Sequence, residues 1–187
     1  SYKVESVESK TFTGYKQKAN SPKLPQEVKE GGKVVVLYEA DKTATKKLNY
    51  QVVYQVEGGE VLETVDKSAD IWVLDNSYKV ESVESKTFNG YKQKADSPNL
   101  PQDVKNGEIV YVYYLENEVT IKYIADANGN VNNDSETILA VNGTATGSTA
   151  IAATGYHFVN WTNEEGTVVS TDETYVPERV NELYAAA

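Results

Sequence analysis

A short segment rich in acid and amide side chains could bind a cation. Asp126, Asn128 and Asn130 alternate in the sequence DANGN, a spacing with which oxygen ligands begin a calcium-binding loop. The glycine that such loops need falls early, at Gly129, and the twelfth position, where a bidentate glutamate belongs, is Thr137. Asn-Gly is also a strong signal for a hairpin turn. The segment therefore predicts either a turn, which we favour, or a weak calcium site.

Three aromatic residues could form a stacking surface for a sugar. Trp72 and Trp161 are the two tryptophans of the chain, and Tyr156 lies shortly before the second of them. The apolar face of a sugar ring packs well on an aromatic ring, so these residues are candidates for contact with a glycan. Trp72 also lies in the apolar run at residues 71–74, which favours packing in a core.

The sequence offers few residues for a catalytic centre. His157 is the only histidine, and the chain has no cysteine, so a hydrolytic triad or a metal site would depend on one imidazole. His157 alternates with Tyr156 and Phe158, which predicts an outward-facing position on a strand. The acidic residues are scattered and show no pair suited to cleaving a glycosidic bond. We therefore predict that the protein is not an enzyme and uses no cofactor.

The composition indicates an exported bacterial protein. The 187 residues carry a formal net charge of −10, which disfavours nucleic acids and anionic membrane surfaces as partners. No apolar run approaches the roughly 18 to 20 residues that span a bilayer, so membrane insertion is not predicted. The absence of cysteine fits either a cytosolic protein without thiol chemistry or an exported bacterial protein built without disulfides. Because methionine is also absent and tyrosine is frequent, the composition favours an extracellular location at the cell surface or cell wall. The lack of an initiator methionine predicts that the chain is part of a longer precursor.

The sequence contains an internal repeat. Residues 1–30 recur as residues 77–106, at an offset of 76, with five differences in thirty positions. Tandem repetition of this fidelity is typical of arrays of small modules that extend reach or multiply weak binding sites. It favours a structural or adhesive protein over an enzyme.

Strand signals dominate the chain. Residues 49–56 (NYQVVYQV) alternate with a period of two, two glycines follow at 58–59, and residues 61–65 are the predicted returning strand of a hairpin. A second hairpin is predicted from residues 119–123 and 136–141.

Two more strands are predicted at residues 33–38 (KVVVLY) and 108–115 (EIVYVYYL). The second is apolar on both faces, as expected of a strand that is covered on both sides or central in a sheet. Helix signals are poor: one helical turn is expected at residues 102–106, and a short helix at residues 149–154. The predicted fold class is mostly β, or α+β at most, with little helix.

These elements recur as a module that opens with a hairpin and closes with a tyrosine-rich strand. By this pattern residues 42–117 form a complete module, and residues 118–187 form a divergent one. Residues 1–41 correspond to the second half of a module and lack its opening hairpin.

A half module cannot close its core. Val34, Val36 and Tyr38 are therefore expected to present an unpaired strand edge and apolar side chains to water. We predict that residues 1–41 are either poorly ordered or completed by strand exchange with another copy.

Two segments resemble repeats of Gram-positive surface adhesins. Residues 118–130 (EVTIKYIADANGN) resemble the opening of mucin-binding-protein repeats. Residues 154–187 resemble the Listeria–Bacteroides repeat, which reads Gly-Tyr-x-Phe-x-x-Trp, a polar hairpin and a closing Leu-Tyr-Ala strand. The matching residues are Gly155, Tyr156, Phe158, Trp161, Leu183, Tyr184 and Ala185. The chain departs from this pattern at Ala186 and Ala187, where the family has a basic or aromatic residue.

The resemblance implies tandem, small β-grasp-like domains on a bacterial surface protein, without catalytic residues. It also assigns Trp161 to a core position, which competes with the stacking role. The expected function is a stalk or spacer, or a weak multivalent adhesin for host glycans or mucin-type glycoproteins. The alternative is an accessory module, carbohydrate-binding or not, of a larger secreted carbohydrate-active enzyme.

Overall fold

Short β-strands make up the regular structure of the chain. The structure is a computed structural model that describes residues 1–178 and the backbone of residues 183–186. The residues it describes contain no helix, which confirms the predicted mostly-β class. The chain forms two compact units. Unit 1 consists of Ser1–Gln55, Val61–Glu84 and Asp96–Val112, and unit 2 consists of Val56–Glu60, Ser85–Ala95 and Tyr113–Ala187.

The strands are short in the repeated segments and longer in the hairpins. The first ten are β1 (Tyr2–Val4), β2 (Tyr15–Gln17), β3 (Gln26–Val28), β4 (Tyr38–Ala40), β5 (Thr45–Val56), β6 (Val61–Trp72), β7 (Tyr78–Val80), β8 (Tyr91–Gln93), β9 (Gln102–Val104) and β10 (Ile109–Glu116). The others are β11 (Glu118–Ala125), β12 (Gly129–Val131), β13 (Ser135–Leu139), β14 (Ser148–Ala152), β15 (Trp161–Asn163), β16 (Val168–Ser170), β17 (Thr174–Tyr175) and β18 (Leu183–Ala186).

The predicted hairpin at residues 49–65 is confirmed and is longer than expected. β5 pairs antiparallel with β6 from Thr45↔Trp72 to Gln55↔Val61. Gly58 in the connecting turn has a φ of +68°, a backbone conformation that a glycine adopts without steric cost. The period-two pattern buries Leu48, Val52 and Tyr54, so one face of β5 supplies apolar surface to the core of unit 1.

The two copies of the repeat have the same local structure. β1 pairs with β3 as β7 pairs with β9, and β2 pairs with β4 as β8 pairs with β10, each in the register expected from the offset of 76. The Tyr38 hydroxyl donates a hydrogen bond to the carbonyl oxygen of Lys10 at 2.8 Å. Its counterpart, the Tyr114 hydroxyl, donates to the carbonyl oxygen of Lys86 at 2.6 Å. Local sequence therefore determines these loops and short strands.

The copies differ in their closing segments. Residues 109–116 form β10, whereas in the first copy only Tyr38–Ala40 forms a strand, so the predicted strand at residues 33–38 is wrong before Tyr38. The longer strand in the second copy forms because β5 lies beside it. In unit 1 the start of β10 lies beside β5, and the Gln51 amide donates to the carbonyl oxygen of Glu108 at 3.1 Å. Within the described residues no strand pairs with residues 33–37.

β10 is buried on one face only. Val110, Val112 and Tyr114 are buried, while Tyr111 and Leu115 on the other face are exposed. The expectation of a strand covered on both sides is therefore wrong. Its apolar sequence instead fits a strand with neighbours on both edges: in unit 1 its first half has β5 beside it, and in unit 2 its last residues pair with β8.

Both predicted helical segments are strands. Residues 102–104 form β9, which pairs with β7, and residues 148–152 form β14, which pairs with β12 and β17. Pairing with strands distant in sequence outweighs the weak local helix preference of these short segments.

The last part of unit 2 contains two sheets. One has the strand order β13-β11-β18-β15-β16 and the other β12-β14-β17. The predicted second hairpin is confirmed, because β11 pairs antiparallel with β13. β11 also pairs with β18 in parallel. A parallel pair needs a long crossover, for which an α-helix is usual, and here the intervening chain includes the second sheet. Ala187 and the side chains of Leu183, Tyr184 and Ala185 lie outside the described residues.

The core of this part surrounds Trp161. Its ring is 0 % exposed and lies with Ile121 and Tyr123, whose ring centroid is 6.0 Å from that of Trp161. The indole Nε1 donates to the carbonyl oxygen of Glu173 at 3.1 Å, which satisfies the one polar atom of the buried ring.

Glu116, the last residue of β10, fixes a turn in unit 2. Its Oε1 accepts hydrogen bonds from the amides of Val141, at 2.6 Å, and Asn142, at 2.5 Å, and its Oε2 accepts from Asn142 Nδ2 at 3.0 Å. These bonds favour the charged form, and the bond from the Asn142 backbone contributes most to lowering the pKa of Glu116 below its ordinary value.

Candidate functional site

A pocket in unit 2 forms where β11 ends. The chain turns after Ala125, and β12 then pairs with β14 through Gly129↔Ala152 and Asn130↔Ile151. The Ala153 amide donates to the carbonyl oxygen of Asn128 at 2.9 Å, which holds the turn against the end of β14. The segment that follows leads through Gly155 to residues 156–159, which also line the pocket.

The pocket has a volume of 420 Å³ and a mixed lining. Its polar lining includes Asp126, Asn128 and Asn130, whose side chains end in a carboxylate and two amides. Ile151 and Tyr156 contribute apolar surface, and both side chains are more than half exposed. The complete lining is Ala125, Asp126, Asn128, Gly129, Asn130, Ala150, Ile151, Ala152, Gly155, Tyr156, His157, Phe158 and Val159. Hydrogen-bonding groups around an exposed aromatic ring suit a neutral, hydroxyl-rich ligand such as a sugar.

The structure brings together four of the residues that the sequence singled out: Asp126, Asn128, Asn130 and Tyr156 all line this pocket. Tyr156 is 58 % exposed, and its amide donates to the carbonyl oxygen of Ala153 at 3.0 Å. The backbone around the ring is therefore fixed by a turn, while the ring itself is open to solvent. This is the geometry that stacking on a ligand requires.

Two of the three calcium candidates use a side-chain oxygen to bind a neighbouring backbone amide. Asp126 Oδ1 accepts a hydrogen bond from the Asn128 amide at 2.9 Å, and Asn130 Oδ1 accepts one from the Val131 amide at 2.9 Å. The described residues contain no group of three or more His, Cys, Asp or Glu side chains that could hold a metal ion. Calcium prefers six to eight oxygen ligands, and two of the candidate oxygens are already engaged. Calcium binding by these residues stays a prediction.

Trp161 is positioned differently from the other stacking candidates. Because its ring is fully buried in the core of unit 2, no face of it is available to a ligand. The structure therefore places Trp161 in the core position that the repeat resemblance assigned to it.

Trp72, in unit 1, is partly buried and its ring is already in contact with three residues. Its Nε1 donates to the carbonyl oxygen of Gly14 at 3.1 Å. The edge of the Tyr15 ring packs at a centroid distance of 5.7 Å, and Lys42 Nζ lies 4.1 Å from the centre of the indole. A cation over the ring face is attracted by the ring quadrupole, so a ligand on that face would have to displace Lys42.

Sequence reasoning did not predict the apolar part of the pocket lining. Ile151 was assigned to a short helix, whereas it lies on β14 with its side chain exposed. An alternating pattern in residues 148–152 could have indicated a strand, but the segment is too short and too rich in Ala and Thr for that signal to be clear. His157 is predicted to face outward on a strand. It is exposed and lines the pocket beside Tyr156, but the strand is wrong, because His157 lies in the loop between β14 and β15.

The comparison with protein families bears on this same part of the chain. Residues 119–186 match the divergent InlB B-repeat domain. This is a Listeria-like repeat of bacterial surface proteins, and the match supports the resemblance of the C-terminal segment at that level. No curated protein matches the chain. No helix in the described residues is long and apolar enough to cross a membrane.

Proposed function

We propose that the chain is a non-enzymatic repeat region of an extracellular bacterial surface protein and that it acts as a stalk or spacer. The observation that carries this proposal is the match of residues 119–186 to the divergent InlB B-repeat domain. The duplication of residues 1–30 at 77–106 supports it, because tandem copies of a small unit extend a chain without adding a new activity.

A spacer must add a constant length for each added module. The test is small-angle X-ray scattering of the chain and of variants with one or two further copies of residues 42–117 inserted in tandem. The spacer function predicts that the maximum dimension rises by an equal increment with each copy. A maximum dimension that stays constant as modules are added would refute it.

Weak adhesion to glycans is the second candidate function, and the pocket beside Tyr156 favours it. An exposed ring next to a carboxylate and two amides could hold one sugar residue by stacking and by hydrogen bonds to its hydroxyl groups. A single shallow site of this kind is expected to bind weakly, and repetition along an array would raise the overall avidity. Host glycans and mucin-type glycoproteins are the ligand class to examine first. The same pocket would suit an accessory module of a secreted carbohydrate-active enzyme.

The adhesion candidate is tested with a glycan array followed by NMR titration of the hits. We expect dissociation constants of about millimolar to micromolar, with shifts confined to the amides around residues 126–130 and 151–159. Tyr156→Ala is expected to abolish binding. Tyr2→Ala, which removes another exposed tyrosine far from this pocket in sequence, should leave it unchanged. Absence of any binding at millimolar glycan would eliminate this candidate and leave the spacer function intact.

A further inference from the structure

One apolar surface of the repeat is buried in the second copy and partly exposed in the first. In the second copy five apolar side chains are at most 1 % exposed: Val80, Val104, Val110, Val112 and Tyr114. The residues at the equivalent positions are identical, and all five are partly exposed: Val4, Val28, Val34, Val36 and Tyr38. We call these five residues of the first copy the acceptor surface. Because sequence and local structure are shared, the difference in burial reflects a partner that, within the described residues, packs on the second copy and not on the first.

In unit 1 that partner is the β5–β6 hairpin. β5 lies beside the start of β10, and it supplies the buried side chains of Leu48 and Val52. Residues 33–37 do not form a strand, and no strand in the part of the chain that the structure describes pairs with them. An unpaired edge beside apolar side chains is a template for strand addition.

The polar groups that hold the start of the hairpin recur in the first copy. In unit 1 Asn49 exchanges two hydrogen bonds with residues 106–108: its amide donates to Asn106 Oδ1 at 2.8 Å, and its carbonyl oxygen accepts from the Gly107 amide at 2.7 Å. Residues 30–32 occupy the equivalent positions, with a Glu30 carboxylate as acceptor and a Gly31 amide as donor. Gly31 and Gly107 both have positive φ, at +75° and +87°, so the donor is presented in the same backbone conformation.

The groups that hold the tip of the hairpin recur as well. In unit 2 the Glu57 amide donates to the carbonyl oxygen of Tyr114 at 2.9 Å, and the Glu57 carboxylate pairs with Lys94 at 2.9 Å. The counterparts in the first copy are Tyr38 and Lys18. The first copy therefore keeps the apolar surface, the backbone groups and the cation that a hairpin of this sequence contacts.

We propose that residues 1–41 are a binding site for a β-hairpin of the β5–β6 type, supplied by another copy of the module. Its first strand would add to residues 33–38 as β5 adds to β10. A second intact chain is a poor donor, because its own hairpin already covers β10 and its transfer would expose as much apolar surface as it buries. The fitting occupant is a hairpin of this sequence that is not already seated on its own module.

Hydrogen exchange measured by mass spectrometry tests this proposal with an internal control. Residues 33–38 and 109–114 differ in sequence, so their peptides are distinguished. In the chain alone, exchange at residues 33–37 should be faster than at residues 109–113 by roughly two orders of magnitude or more. Equal protection of the two segments without any addition would overturn the proposal.

The hairpin is then supplied in two ways. One is a synthetic peptide of residues 42–76, added in excess. The other is an extended chain in which residues 42–76 precede Ser1, so that the new Asn76–Ser1 junction repeats the natural junction of Asn76 with Ser77. We expect residues 33–37 to become protected, to the level of residues 109–113 in the extended chain, where linkage raises the effective concentration of the hairpin.

The matched control carries Leu48→Asp and Val52→Asp in the added hairpin only, and it should leave residues 33–37 unprotected. Protection by this control as well would mean that any added strand suffices, and it would overturn the specificity for this hairpin. If neither the peptide nor the extended chain slows exchange at residues 33–37, the binding site does not exist. These outcomes are independent of whether the protein is a spacer or an adhesin.

Discussion

The two copies of the repeat offer a matched pair of core substitutions. Val110 and Val34 occupy equivalent positions in nearly identical segments, but Val110 is 0 % exposed and Val34 is partly exposed. Truncating each to alanine removes the same two carbon atoms. Any difference in the cost therefore measures how fully the β5–β6 hairpin encloses one copy and not the other.

The magnitude follows from the burial. Removing two fully buried carbons from Val110 loses about 1.6 kcal/mol of transfer free energy, at about 0.8 kcal/mol for each CH₂ group. The residual cavity raises the expected loss to about 2–3 kcal/mol. Val34→Ala loses only part of the transfer term and leaves no closed cavity, so its cost should stay below about 1 kcal/mol.

Urea unfolding followed by Trp72 fluorescence measures both variants. A Trp161→Phe background leaves Trp72 as the only tryptophan, and Trp72, Val34 and Val110 all belong to unit 1. The m-value should be unchanged, and the midpoint for Val110→Ala should fall by about 1 M or more. Equal losses in the two variants would refute the reasoning, because they would show that the first copy is enclosed as tightly as the second.

Three further predictions concern a pair of equivalent tyrosines, a pair of glycines and Glu116. Tyr114→Phe should destabilise the protein by roughly 1–3 kcal/mol, because its buried hydrogen bond is lost, whereas the equivalent Tyr38→Phe should cost less than about 1 kcal/mol; thermal unfolding measures both. Gly147→Ala should lower the free energy of unfolding more than Gly155→Ala. Both glycines have φ near +88°, but of the two only Gly147 has a backbone carbonyl oxygen where a Cβ would lie. Equilibrium unfolding of the two variants measures the difference. The pKa of Glu116 is lowered in the folded state. Its charged carboxylate therefore stabilises the fold at neutral pH, and this contribution is lost as the pH falls through the folded-state pKa. The difference in Tm between Glu116→Gln and the parent chain should shrink from pH 7 to about pH 3.

Each of these has a clear contrary result. Equal costs for the two tyrosine variants would mean that Tyr38 is as well enclosed as Tyr114. A Gly155→Ala variant as unstable as Gly147→Ala would attribute the loss to backbone strain alone. A Glu116→Gln difference that is constant with pH would show that the bonds to the turn do not depend on the charge of the carboxylate.

The sequence was a good guide to elements held together by local contacts. The hairpin of residues 49–65 and the pairing of residues 118–122 with 135–139 follow from period-two patterns separated by turn residues. The wrong predictions concern segments whose conformation depends on pairing with a strand that is distant in sequence. The sequence predicts a helical turn at residues 102–106 and a short helix at residues 149–154, but β9 and β14 form there because each has a pairing partner elsewhere in the chain.

The pocket could be predicted only in part. The sequence identified Asp126, Asn128 and Asn130 as candidate calcium ligands and Tyr156 as a candidate for stacking on a sugar. It could not show that the pairing of β12 with β14 brings these four residues to one pocket. Ile151 carries no sequence signal for a pocket, because its exposure depends on which face of β14 meets the core. The burial of Trp161 was anticipated only through the repeat resemblance.

The repeated segments show why an exact local sequence does not fix a strand. Residues 34, 36 and 38 are identical to residues 110, 112 and 114, and the surrounding loops have the same hydrogen bonds, yet only the second segment is a strand along its whole length. A strand is stabilised by the partner that satisfies its backbone groups and covers its side chains. That partner here is the hairpin of residues 45–72, which lies well before the segment in the sequence. In a tandem array, the stability of each closing strand then depends on the hairpin directly before it. With nearest-neighbour coupling of this kind, the stability of the array depends on contacts between elements that are adjacent along the chain.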